Sequence, residues 1–520
     1  MTLRRFHQAS WNEPILLELS SPGERGFVPV EAEELPHSDG DPFAGIPDTL
    51  RRSSLPRLPE LSQPQVLRHY LRLSQETLGN DVNVHLGLGT CTMKYSPKVN
   101  EEFVRSPKVA DLHPSQDDET VQGMLEVLYR LERMLCEISG MSRFTLQPAG
   151  GSQGVYANAR MIRAYHAMRG ETDRDEIVTT IFSHPCDGAA PATAGFKVIT
   201  VYAGDKGYPE PAAIRAAVSE RTAGLMITNP EDTGLFNPRI EEIVDIVHDA
   251  GGLCHYDQAN ANGILGITRA RDAGFDVCQF NLHKTFSSPH CSMGVACGAC
   301  GVTDELAPFL PVPTVEFDGS RYRLEYDRPQ SVGKIRAFHG VPATAVRSFA
   351  WVLSLGAEGL REVAEVAVLN NNYLASRLAE VRGVEVSFAE TNGERRLEQI
   401  RYSLERLQEE TGVGTLDVAR RTADFGFASY FPSHEPWLVP EPMTLEPSES
   451  YSRADLDAYA AMLAEISREA YEEPETVTSA PHRSTVHKMD PAPHDDPERW
   501  ALTWRAYLRK QGGRQASEAP

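Results

Sequence analysis

Apolar residues recur at three- and four-residue steps through residues 121–139: Val121, Met124, Leu125, Leu128, Leu131, Leu135 and Ile138. That spacing lines one face of an α-helix, and Gly140 supplies the stop. From about residue 145 to 300 the pattern changes to short apolar runs that alternate with helix-like text. Residues 177–183, 198–202, 224–228, 253–257 and 277–282 read as strands. Helix-like text runs at 155–169, ahead of the first strand, and between several of the strands, notably 239–250. Asn237 is expected to cap the second of these, with Pro238 at its first helical position. Strands that alternate with helices predict an α/β fold, a mostly parallel sheet covered on both faces. After about residue 330 the text turns helical (343–377) and then mixed, which suits a smaller second domain. The expected organisation is an N-terminal arm at 1–60, a large domain at 61–330, a small C-terminal domain at 331–472, and a tail at 473–520 with one short helix near 500–510. The arm is turn-rich and the tail is rich in Pro, His and Asp. There is no internal repeat.

Composition narrows the class. The chain has 520 residues, 41% apolar and 24% charged, enough for a large core and ordinary for a soluble globular protein. Acids outnumber bases by 73 to 51, a net charge of −22, so the basic face of a nucleic-acid binder is missing. No run approaches the roughly 20 apolar residues of a membrane span. The first residues, Met1 to Gln8, lack the apolar core of a secretory signal. Eight cysteines are too sparse for a disulfide scaffold. The expectation is a cytoplasmic enzyme.

Four features at the edges of the expected sheet carry chemistry. Pro148-Ala149-Gly150-Gly151-Ser152-Gln153-Gly154 is a glycine-rich turn that opens a helix. Such a turn presents backbone N–H groups and the positive dipole end to an anion, and Ser152 and Gln153 add side-chain donors. A plain turn fits the same text. Asp257 ends a strand, so its carboxylate points into the crevice where parallel sheets bind ligands; an aspartate capping the next turn is the bland alternative. Lys284 follows directly after a buried-looking strand. Burial lowers a lysine pKa and makes the amine a competent nucleophile toward a carbonyl cofactor, where the bland reading is a lysine snorkelling from a strand end. His184 follows another strand, and its ring suits stacking on an aromatic cofactor as well as it suits a satisfied core position. Together, an anion cradle, a carboxylate, a lysine and a stacking ring make up a pyridoxal phosphate site.

The text resembles the glycine decarboxylase P-protein family, in particular the lysine-bearing second subunit of the two-subunit form. The resemblance runs nearly end to end. It rests on Trp11-Asn12-Glu13-Pro14, on Gly89-Thr90-Cys91-Thr92-Met93-Lys94-Tyr95-Ser96-Pro97, on Asp111-Leu112-His113-Pro114 and on Asn281-Leu282-His283-Lys284-Thr285-Phe286. Leu355-Gly356-Ala357-Glu358-Gly359-Leu360 and Leu445-Glu446-Pro447-Ser448-Glu449-Ser450 extend it. It implies a fold-type I pyridoxal phosphate-dependent transferase, with a smaller C-terminal α/β domain beside the main sheet. It implies Lys284 as the lysine that binds pyridoxal 5'-phosphate, His184 as the stacking residue and Asp257 as the partner of the pyridine nitrogen. Gly150, Gly151, Ser152, Gln153, Ala259 and His283 join them in holding the cofactor. The implied reaction removes CO2 from glycine and passes the aminomethyl group to the lipoyl arm of H-protein. The implied partners are H-protein and a catalytically silent first subunit, or a second copy of the chain.

Several positions depart from the family pattern. A run of glycines after Pro-His is replaced by Cys291-Ser292-Met293-Gly294-Val295-Ala296-Cys297-Gly298-Ala299-Cys300-Gly301, which adds side chains where glycines gave freedom. Behind the stacking histidine, Gly-Thr-Asn becomes Pro185-Cys186-Asp187, an acid expected to disfavour a substrate carboxylate if it faces the site. A His-Glu pair becomes Glu398-Gln399, and Gly becomes Gln258 between Asp257 and Ala259. Cys291, Cys297 and Cys300 have no fourth ligand at zinc-like spacing, although His290 is adjacent, and are expected to fill space rather than hold a metal. The alternative function is a divergent pyridoxal phosphate enzyme of a biosynthetic pathway, acting on another amino acid or amine without a lipoyl partner.

Overall fold

Strand-forming runs rich in Ile, Val and Leu build the centre of the protein, seen here in a computed structural model. The structure describes residues 3–24, 26, 41, 43–54, 58–79, 84–87, 94–290, 295–391, 395–427 and 432–489. Among these, seven strands form one sheet: β1 (Arg143–Thr145), β2 (Glu176–Thr180), β3 (Lys197–Val201), β4 (Thr222–Thr228), β5 (Leu253–Gln258), β6 (Val277–Asn281) and β7 (Gly298–Val302). Their order is β1-β7-β6-β5-β4-β2-β3. Strands β2 to β6 are parallel to their neighbours, β7 is antiparallel to β6, and β1 is antiparallel to β7. The expected mostly parallel α/β sheet is therefore present, with an antiparallel edge.

Side chains alternate across the sheet because strand periodicity is two. Leu225, Ile227, Cys254 and Tyr256 join one core, with Leu128, Leu131 and Leu135 of helix α1 (Gln122–Ser139). Met226, Leu253 and Val277 join another, with Val155 and Ile162 of helix α2 (Gly151–Met168) and Cys186 of helix α3 (Cys186–Thr193). Gly140 ends α1 in the left-handed conformation at φ 75°, as expected of that glycine.

Helix α4 (Ile240–Asp249) begins later than the sequence predicts. Arg239 is its N-cap, and Pro238 lies outside it. Asn237 instead stitches the preceding turn. Its Oδ1 accepts from the Arg239 N–H at 3.0 Å, its Nδ2 donates to the Pro209 carbonyl at 2.9 Å, and its own N–H donates to Asn229 Oδ1 at 2.8 Å. Asn237 thus meets the N–H of the N-cap residue from two positions upstream, rather than the N–H groups of the helix's first turn.

The hairpin of β8 (Thr314–Phe317) and β9 (Tyr322–Glu325) leads to the long helix α5 (Pro342–Leu378), which breaks at Gly356, where φ is 64°. A three-stranded antiparallel sheet follows: β10 (Glu385–Val386), β11 (Ile400–Ser403) and β12 (Pro442–Leu445). Leu374, Leu378, Tyr402 and Leu445 pack there with Leu456, Tyr459 and Ile466 of helix α6 (Arg453–Glu472).

The chain divides into two compact units, residues 1–4 with 80–478, and 5–79 with 479–520. In the second, the helix Gln63–Gln75 opens with a capping box in which Gln65 Oε1 accepts the Ser62 N–H at 2.7 Å. The buried Glu13 carboxylate takes His69 Nδ1 at 2.8 Å and Arg72 at 2.9 Å. The N-terminal and C-terminal stretches meet where the Gln8 N–H donates to the Arg483 carbonyl at 3.0 Å. The expected helix at 500–510 and Cys291 lie outside the described residues.

Candidate functional site

The carboxyl ends of the parallel strands bring the sequence-predicted residues together, as expected where a sheet changes direction in its strand order. His184 follows β2, Asn229 and Asp232 follow β4, Asp257 sits near the end of β5, and Lys284 follows β6. A cleft opens there, lined by His184, Asp257, Ala259 and Lys284 and also by Asp232, Glu398, Gln399 and His434.

Alternation along β5 decides what Asp257 faces. Cys254 and Tyr256 point into one core, so His255 and Asp257 point to the other face, toward α3. Asp257 stands opposite Thr228 of β4 and Gln279 of β6. Its Oδ1 accepts the Ala259 N–H at 2.8 Å. Burial raises its pKa, opposed by that amide and by the Lys284 charge.

Lys284 is 7% exposed. The turn that carries it is held by its own N–H on the Asn281 carbonyl at 3.0 Å and by the Ser287 N–H on the Lys284 carbonyl at 3.1 Å. Thr285 pins the turn from two sides: its Oγ1 accepts the Ala261 N–H at 2.9 Å, and its carbonyl accepts Lys94 Nζ at 2.9 Å. Lys94 is itself buried against Glu449 at 2.9 Å and over the Trp351 ring at 4.7 Å. The amine is presented from a rigid base.

His184 Nδ1 accepts the Cys186 N–H at 3.1 Å, which leaves the proton on Nε2. Burial, reinforced by the Lys284 charge, pushes its pKa down to about 4. The ring is therefore neutral at physiological pH and suited to stacking.

The glycine turn flanks this cleft rather than lining it. A Cβ at Gly151 would sit 2.9 Å from Asn281 Nδ2, and one at Gly154 would sit 2.0 Å from Gln279 Oε1. The start of α2 is thus pressed onto β6, the strand that ends at the lysine turn, and its first-turn N–H groups have no intrahelical acceptor. Gln153 braces its own turn, with Oε1 accepting the Ala149 N–H at 2.6 Å and Nε2 donating to the Ile335 carbonyl at 3.4 Å. His283 is off the lining too, its Nδ1 3.2 Å from the Cys297 backbone and its ring edge-on to His290.

Asp187 does not face the cleft. It is fully buried behind Asp257, so an acid at that position does not meet a substrate carboxylate. Cys297 and Cys300 are also fully buried, their sulfurs at 3.7 and 3.4 Å from the Leu146 and Gly154 carbonyls, and burial raises both thiols.

Asp232, His434 and Arg401 were not singled out in the sequence. Arg401 of β11 is fully buried, ion-paired to Asp232 and to Glu435 at 3.3 Å, with its guanidinium 5.1 Å from the Phe182 ring. Gln399 Nε2 donates to the same Asp232 carboxylate at 3.2 Å. An arginine in the strand text Ile400-Arg401-Tyr402 was the available signal, because a charge inside an apolar run demands a partner.

Glu398 lines the cleft fully buried, and burial pushes its carboxyl up to about 8. In the unfolded chain it would titrate near 4.5, so the native state binds the extra proton between these values. Stability from this group is fully present below pH 4.5 and is lost progressively as pH rises from there through 8. Glu398→Gln, which keeps the neutral shape, is expected to melt with wild type at pH 4. At pH 9 it should be more stable, by on the order of a few kcal/mol. Parallel melting curves across that range would refute the protonated form.

Comparison with known proteins bears on family and fold. Residues 363–494 match the family model described as glycine dehydrogenase, C-terminal domain. The chain is 46% identical to the probable glycine dehydrogenase (decarboxylating) subunit 2 of Pyrococcus abyssi, over 98% of this chain and 99% of that one. It is 46% identical to the protein of the same name from Thermococcus kodakarensis, with the same coverage. The Halalkalibacterium halodurans counterpart is 40% identical over 92% of this chain and 96% of that one. Among solved structures, a glycine decarboxylase (P-protein) of the glycine cleavage system in inhibitor-bound form superposes with a TM-score of 0.68 at 20% identity, over 81% of this chain and 94% of that chain. A NifS-like protein superposes at 0.56 and 16% identity, over 74% and 99%.

Proposed function

The chain belongs to the glycine dehydrogenase (decarboxylating) subunit 2 family, and on that premise we propose that its cleft holds pyridoxal 5'-phosphate and decarboxylates glycine for the glycine cleavage system. The observation that carries the reading is the convergence of a buried lysine, a buried carboxylate and a neutral imidazole on one cleft at the carboxyl edge of the sheet.

The residues fit the cofactor. Gln258 Oε1, next to Asp257, and Asn281 Oδ1 and Ser288 Oγ, three and four residues from Lys284 in the chain, are buried with no hydrogen-bond partner among the described residues, as befits polar groups beside a site completed by a ligand. Lys284 would bind the aldehyde, Asp257 the protonated ring nitrogen, and the His184 ring one face. The α2 N-terminus, with Gly150, Gly151 and Ser152, would receive the phosphate. When bound, the cofactor supplies an electron-accepting ring for the pair released as the glycine carboxylate departs.

The chain's own residues do the rest. Burial around Asp257 excludes water, which strengthens its hold on the ring nitrogen. His184 stays neutral, so its ring would lie against the cofactor without adding a charge there. The partners in this reading are the lipoyl arm of H-protein and the first subunit of the P-protein, and the place of work is the cytoplasm; among the described residues no helix is long and apolar enough to cross a membrane.

The deciding experiment is exchange of labelled bicarbonate into the glycine carboxyl group, with lipoylated H-protein and the first subunit added. Exchange supports glycine as substrate. Failure to exchange, in protein that shows the visible absorbance of bound cofactor, would move the substrate to another amino acid or amine.

A further inference from the structure

Behind Asp257 the structure buries a second acid. Oxygens of Asp187 and Asp257 and the Cys186 sulfur all lie within 4.8 Å of one another. Asp187 is 0% exposed and Asp257 4%. Neither oxygen of Asp187 meets an N–H or O–H donor among the described residues. His255 Nδ1 stands 3.9 Å from its Oδ1, beyond hydrogen-bond length, and that ring is held neutral by burial.

Two ionised carboxylates are acceptors only, so their close approach in a dry interior is repulsive unless they share a proton. The surroundings decide which one keeps it. Asp257 has the Ala259 amide on its Oδ1 and the Lys284 charge nearby, and both favour its anion. Asp187 has neither. The ionisable groups around it are Cys186 on its own helix, Asp257 and His255 on β5, and Glu231 beyond β4, and none of them is a cation at neutral pH. Burial accordingly raises Asp187 well above the ordinary carboxylate range.

We propose that Asp187 is a positioning residue whose carboxyl keeps its proton and donates it in a hydrogen bond to the Asp257 carboxylate, fixing the group that meets the cofactor ring nitrogen. The last clause rests on the pyridoxal phosphate reading above; the shared proton does not. Asp187 thereby acts as a neutral donor, a task an asparagine amide can also perform.

The test compares wild type, Asp187→Asn and Asp187→Ala as full-length protein. The infrared difference spectrum between wild type and Asp187→Asn at pH 7 should show loss of a neutral-carboxyl carbonyl stretch. A lost carboxylate band instead would overturn the proposal, and this measurement stands even if Asp187→Ala fails to fold. Pyridoxal phosphate titrated into the cofactor-free proteins should bind Asp187→Asn within about threefold of wild type. Binding to Asp187→Ala should be about 10- to 100-fold weaker, the loss of a hydrogen bond to a charged acceptor. Equal affinity of the alanine and asparagine variants would also overturn it. If the difference spectrum shows that loss yet wild type takes up no cofactor, the proton-sharing pair stands and the pyridoxal reading falls.

Discussion

Lys284→Ala protein is expected to lose glycine–bicarbonate exchange by about 10³-fold or more, and with it the visible absorbance of lysine-bound cofactor, while its melting temperature changes little. The loss is large because, among the described residues lining the cleft, the lysine is the one amine, and in the proposed reading it is the group that holds the cofactor. The fold is spared because the turn is held by backbone bonds from residue 284 to Asn281 and Ser287, and by the Thr285 contacts to Ala261 and Lys94. Alanine leaves all of these in place. Retained absorbance in the alanine protein would reject the assignment of this lysine. Loss of absorbance together with a collapsed melting transition would show that the side chain holds the fold.

Arg401→Met is expected to be the most damaging change at the cleft that removes no proposed cofactor contact, costing about 3–5 kcal/mol of stability. The guanidinium is fully buried between Asp232 and Glu435 and against the Phe182 ring. Methionine fills the volume and leaves both carboxylates without their cation. Asp232 is partly open to water at 26% side-chain exposure, which places the effect toward the lower end of that range. Arg401→Lys should recover only part, since an ammonium cannot bridge two carboxylates as a planar fork does. Urea unfolding reads the stability, and kcat/KM reads the displacement of Asp232 and Gln399 from the cleft wall. An unchanged urea midpoint would show that the ion pairs contribute nothing.

Much of the central sheet was legible because its strands are short apolar runs bounded by turns. The limits were less so. The run at 177–183 continues past the end of β2 at Thr180, because Phe182 is buried beyond the strand beside Arg401 rather than in the ladder. Strand β7 escaped notice: Gly298-Ala299-Cys300-Gly301-Val302 is made of small residues without alternation, and it is a strand because β1 and β6 flank it. The small antiparallel sheet escaped for a like reason, its longest pairing joining residues 45 apart, Ile400 with Leu445.

At the site, Lys284, Asp257 and His184 could be picked out one by one, because each stands at a strand end where a polar residue must be exposed, partnered or reactive. The family text in which Lys284 is embedded then assigned them roles. Local sequence carries that much: element type, the residue at each strand end, and family membership. It could not tell that Asp187 lies behind Asp257, that Arg401 reaches Asp232, or that Gln153 and His283 turn away from the cleft. Those facts depend on which face of a strand meets which helix and on contacts across the chain, such as Arg401 with Asp232, 169 positions apart, and Gln153 with Ile335, 182 apart. Only the packed sheet brings such residues within a few ångströms, and only there does burial decide which carboxyl is charged.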